Sequence, residues 1–187
     1  MTIYRLGDQQ VDLLPYVREA IATLGFVQEG AAEWLAGQIA VHADRTNGRS
    51  IRDAGTRLTQ AERAERGLPP WNGHLSHEVW GALTDAGREA PVERFDDTCW
   101  RALRGARQRL QAERAGRILR PRGMFAGILM SAAPRVGLCD VGLAHVGEFT
   151  PTPPELPFHG CDRHVCGCMW RAITKTEAEK KGLASFY

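Results

Sequence analysis

Five apolar residues in the middle of the chain mark one helical face. Phe95, Cys99, Leu103, Ala106 and Leu110 follow one another at spacings of four, four, three and four, the repeat of an amphipathic α-helix. Pro91 stands just before them, where a first helical turn accepts proline. The pattern predicts a helix over about 92–118 and commits the chain to a mainly α architecture.

Shorter helices are predicted ahead of it. Asp12 is placed to cap a helix over 13–24, with Pro15 in its first turn and Gly25 at its end. Leu14, Val17, Ile21 and Leu24 form its apolar stripe. A second helix over 28–43 turns Trp34, Leu35 and Ile39 inward, and the segment 45–55, RTNGRSIRDAG, reads as a loop. Thr59 and Glu62 form a capping box for a helix over 60–66. Ser76 caps another, with Leu75 and Trp80 as a hydrophobic staple and Gly87 as its stop. The pattern changes after Pro121: MFAGILM (124–130) and AHVGEF (144–149) read as short strands, and TPTPPELP (150–157) as an extended lead-in. The tail 174–187 reads as one short helix from Thr176 and a loose end. The expected organisation is a helical domain over 1–123, a small Cys-rich α+β or β appendage over 124–173, and a tail over 174–187.

Charge narrows the choice of partners. Lys and Arg total 24 against 22 Asp and Glu, so the net charge is only +2. Eight arginines nevertheless crowd into the long helix and its exit: Arg101, Arg104, Arg107, Arg109, Arg114, Arg117, Arg120 and Arg122, with Glu113 as the one acid among them. They fall largely off the apolar stripe. Such a stretch suits nucleic acid or an acidic partner surface; it equally suits a solvated face whose arginine stems cover apolar neighbours. No apolar run approaches the roughly 20 residues of a bilayer span, and MTIYRLGDQQVDLL lacks the apolar core of a secretory leader. A virion or cytoplasmic location is therefore expected, with no membrane partner.

The C-terminal third concentrates metal-binding chemistry. Cys139, Cys161, Cys166 and Cys168 lie within 30 residues of one another, interleaved with His145, His159 and His164. Without an export signal, clustered thiols argue against a disulfide framework. Thiolate and imidazole are zinc ligands, and four of them close a structural site. The candidate ligands are the four cysteines with His159 and His164. The spacing C-x4-C-x-C is not that of a zinc ribbon. Cysteines without metal, an iron–sulfur site, a disulfide, or an open catalytic zinc with Asp162 or Glu155 as base are the alternatives. Cys99, alone on the helix stripe, reads as a small buried hydrophobe.

Residues 137–173 resemble the C-terminal tail of phage minor head, or head-morphogenesis, proteins. Cys139 matches the first cysteine of that tail. Pro153, Pro154 and Pro157 match its Pro-rich lead. His159-Gly160-Cys161 resembles its His-x-x-Cys step, Cys166-Gly167-Cys168 its C-x-C, and Trp170 to Ile173 its closing strand. Gly142 stands where the family has a second cysteine, and extra residues separate Cys161 from Cys166. The resemblance implies a low-copy virion protein near the portal, helical in its N-terminal part, with a role in head assembly or DNA delivery. The leading reading is a non-enzymatic structural or assembly protein within an oligomeric assembly, in which a zinc clamp shapes a docking module for other assembly subunits and the arginine face meets DNA or an acidic neighbouring subunit. A bacterial zinc-containing nucleic-acid-binding or regulatory module is the alternative, and a zinc metalloenzyme a third. Ser50 and Ser76 with His74 and His77 lack a nucleophile frame, and no phosphate-loop pattern occurs.

Overall fold

The computed structural model describes residues 2–42, 49–69, 75–132, 146–151 and 168–183. The described residues are mainly helical with a small sheet, as the apolar periods require. The chain divides into two compact units, 1–4 with 12–103 and 5–11 with 104–187. The break falls inside the long helix, between Leu103 and Arg104.

The chain opens with a two-stranded sheet that the sequence reading did not anticipate, β1 (Ile3–Leu6) and β2 (Gln9–Asp12). Gly7 and Asp8 connect them, and Gly7 takes φ 64°, which glycine adopts without strain. In the first unit, α1 (Leu14–Leu24) starts where Asp12 Oδ1 accepts from the Leu14 N–H at 3.1 Å and stops at left-handed Gly25. It buries Tyr16, Val17, Ala20 and Ile21. After a 3-10 turn (Glu29–Ala31), α2 (Ala32–His42) buries Leu35, Ala36 and Ile39, and Trp34 packs its ring 6.4 Å from that of Phe95.

The segment read as a loop contains a helical turn, α3 (Arg49–Arg52). Ile51 holds it by burial, and Arg52 Nε approaches Asp96 Oδ1 at 3.2 Å. α4 (Gln60–Glu65) carries the expected capping box: Thr59 Oγ1 accepts from the Glu62 N–H, and Glu62 accepts from the Thr59 N–H. Ser76 caps α5 (His77–Ala82) by accepting from the Val79 N–H at 3.2 Å. That helix stops earlier than Gly87, because Leu83 is extended and Thr84 starts a separate turn, α6 (Asp85–Arg88). Thr84 Oγ1 accepts from the Gly87 N–H and donates to the Gly25 carbonyl at 2.7 Å, which anchors the new turn.

The long helix, α7, runs Pro91–Leu119. All five residues of its stripe are buried. Phe95, Cys99 and Leu103 serve the first unit, Ala106 and Leu110 the second. In the second unit, β3 (Phe125–Ala132) lies between β4 (Phe149–Thr150) and β5 (Cys168–Thr174), all antiparallel. Of the expected strand over 144–149, residues 144 and 145 lie outside the described residues, 146 and 147 form a turn, and Phe149 opens β4. The last helix, α8 (Lys175–Lys180), begins one residue before Thr176, with Thr174 as its cap. The helix packs on the sheet: Ala178 packs with Ala126, Leu129 and Ile173, and Phe149 and Leu183 close over them; the expected loose end at 184–187 lies outside the described residues.

A candidate anion-binding groove

The second half of α7 and strand β3 enclose a groove of about 450 Å³. Its basic lining comes from Arg109, Arg117 and Arg120, with Glu113 between them. Ala112, Gly116, Phe125 and Ile128 make its apolar floor. The helical lining residues recur every three or four positions, so one helix face supplies them all.

The strand side depends on an irregularity in β3. Phe125 pairs with Thr174 and Gly127 with Ile173, leaving an extra residue between. In a regular strand, positions three apart point to opposite faces. The inserted residue reverses the alternation, so Phe125 and Ile128 both meet the groove. Gly116 admits the Phe125 ring: a Cβ there would lie 3.0 Å from ring atom Cε2.

Each groove arginine is held. Arg109 Nε donates to Glu113 Oε1 at 2.7 Å, one turn along the helix. Arg117 Nη1 lies 3.6 Å from Asp8 Oδ2. Gln9, buried at the edge of β2, fixes the same guanidinium. With its amide oriented to satisfy both ends, its nitrogen donates to the Leu110 carbonyl at 2.9 Å and its oxygen accepts from Arg117 Nη2 at 2.6 Å. The Arg120 guanidinium lies over the Phe125 ring at 4.5 Å, a cation–π placement. These guanidiniums are positioned before any ligand arrives, which lowers the ordering cost of binding.

The eight arginines of the sequence stretch therefore separate. Arg101 does not belong to an exposed face. It is buried in the first unit, where its Nε donates to both carboxylate oxygens of Glu19, at 3.2 and 3.1 Å, and Nη2 adds another bond. Arg104 and Arg107 are half-buried, Arg109 lines the groove, and Arg114, Arg117, Arg120 and Arg122 are exposed. The whole second unit carries 14 basic against 8 acidic residues, so the groove sits in the positive part of a near-neutral chain. Sequence reasoning missed Gln9, Phe125 and Gly116 as parts of this site.

The proposed metal ligands Cys139, Cys161, Cys166, His159 and His164 lie outside the described residues, as does His145. Cys168 is placed at the start of β5, in register with Ala132. Among the described residues, no three His, Cys, Asp or Glu side chains converge as a metal site. Cys99 is buried, and its thiol is pushed well above the usual range by burial and by the Asp96 charge. His77 Nε2 pairs with Glu62 at 3.1 Å, and Ser76 spends its hydroxyl on the helix cap. No helix among the described residues is long and apolar enough to cross a membrane.

Comparison with protein-family models, with curated proteins and with solved structures finds no match to this chain. The groove must therefore be interpreted from its own chemistry.

Proposed function

We propose that the chain is a non-enzymatic assembly protein of a bacteriophage particle, a minor head or neck component that contacts nucleic acid through its second unit. The observation that carries the nucleic-acid contact is the groove, where three positioned arginines meet two acids, Glu113 and Asp8, on a unit with a large basic excess. Phosphate contacts need charge and hydrogen-bond donors rather than a deep catalytic pocket. The virion assignment rests on the resemblance of residues 137–173.

In the same reading, the Cys/His-rich segment is a zinc-stabilised docking module for neighbouring subunits. Thiols and imidazoles form a donor set of the right chemistry for zinc, with Cys139, Cys161, Cys166, Cys168, His159 and His164 as the residues that would hold it. Zinc there would supply folding energy to a Pro-rich segment with little core of its own.

Two measurements test the proposal. Binding of labelled DNA to the full chain should weaken steeply with salt, because each neutralised phosphate releases counterions. Zinc content of the purified, thiol-reduced protein should fall in Cys161→Ser and Cys166→Ser and persist in Cys99→Ala. Salt-insensitive or absent DNA binding overturns the nucleic-acid contact; absence of metal from all of them overturns the docking module.

A further inference from the structure

We infer that the groove seats a nucleotide of a single nucleic-acid strand, its phosphate between Arg117 and Arg120 and its base against the exposed Arg120 guanidinium. This inference rests on the nucleic-acid reading above and specifies the form of the ligand.

Four observations converge on it. First, the space is concave and of ligand size: about 450 Å³ holds on the order of one nucleotide. A duplex meets proteins through an element that enters its own groove; it does not thread a cleft of this volume. Second, the charge is polarised along the cleft. Arg117, 3.6 Å from the exposed Asp8, and Arg120 stand one turn apart on the same helix face, whereas Arg109 is paired more closely, with Glu113 at 2.7 Å, two turns before Arg117. An anionic group is favoured at the first end. The carboxylate at the other repels a second phosphate and accepts hydrogen bonds from base amino groups.

Third, the groove offers a base a flat face that a free inorganic phosphate cannot use. Phe125 itself lies under Arg120, so the exposed stacking surface is the planar guanidinium above the ring. Fourth, positive charge continues past the cleft. Arg122 is exposed just beyond Arg120. A free nucleotide has no use for that extension, but a strand leaving the cleft does.

The test uses the full chain and fluorescence anisotropy with a labelled oligo-dT of about 12 nucleotides, a hairpin duplex of matched length, and dTMP as competitor. Oligo-dT is expected to bind at least about tenfold more tightly than the duplex, and dTMP to compete only weakly. Arg117→Ala and Arg120→Ala should each weaken oligo-dT binding about tenfold and lower the salt slope by about 0.7. Arg114→Ala removes the same charge from the same helix outside the cleft and should cost about twofold or less. Arg117→Lys should recover part of the loss.

Equal or tighter duplex binding, or an Arg114→Ala loss matching that of Arg117→Ala, overturns the inference while leaving the nucleic-acid reading intact. Competition by dTMP at the oligonucleotide's own affinity replaces the strand with a free nucleotide and overturns it as well. Binding of neither oligonucleotide at low salt removes both the inference and the reading beneath it.

Discussion

Replacing Arg101 by Ala separates a structural role from a binding role at one residue. Arg101 and Glu19 are 4% and 11% exposed at their side chains, and the guanidinium meets both carboxylate oxygens. Removing the cation would leave a carboxylate in a largely dry site, and breaking a buried pair from one side costs about 3–5 kcal/mol. The first unit should lose that amount in urea denaturation, a Tm fall of roughly 6–20 °C at about 2–4 °C per kcal/mol. Glu19→Leu with Arg101→Met should restore most of the stability, because replacing both partners removes the desolvation cost along with the attraction. The double variant should also bind oligonucleotide as wild type does, since Arg101 belongs to the first unit and the groove to the second. A loss below about 1 kcal/mol in Arg101→Ala would match a solvated surface pair and refute the buried-pair reasoning. Weakened binding in a stably folded double variant would return Arg101 to the binding set.

Three further outcomes are expected. Gly87→Ala would bring a Cβ within 2.1 Å of the Phe26 carbonyl oxygen, a backbone atom that already accepts from the Thr84 N–H; a loss of at least about 2 kcal/mol in thermal or urea melts should follow. The Asp96 carboxyl is raised to about 6 by burial, with the Asp97 and Glu93 charges adding and Arg52 opposing. The folded state then holds its proton more tightly than the unfolded chain, so stability should fall as pH rises from about 4 to about 6, by at most about 3 kcal/mol. Asp96→Asn should flatten that part of the stability–pH curve. Cys99 should resist thiol reagents at pH 8 until the first unit is unfolded, as a fully buried thiol with a raised pKa must; rapid labelling of the native protein at this residue would contradict its burial.

What was legible in the sequence was legible because it is local. The Thr59–Glu62 box spans four residues and the Ser76 cap needs only the N–H three positions on, so each element carries its own start signal. The stripe from Phe95 to Leu110 states its period without help from the rest of the chain. The N-terminal hairpin carries a local signal too, a Gly-Asp pair between Ile3–Leu6 and Gln9–Asp12. Gly87 misled because a glycine reads as a helix stop, whereas its role here is close backbone approach to Phe26. The candidate site was only half legible, for a different reason. Arginine looks the same in sequence whether its guanidinium is desolvated or solvated, and the difference is made by partners that are remote along the chain. Glu19 lies 82 positions from Arg101, and Gln9 reaches Arg117 across 108 positions of the chain (117 − 9). The extra residue in β3 that turns Phe125 and Ile128 to one side likewise emerges only from pairing with β5. A run of arginines on a helix is thus a necessary signal for the groove but not a sufficient one. The apolar floor, the partners that orient the guanidiniums, and the removal of Arg101 from the set all come from contacts that no periodicity encodes.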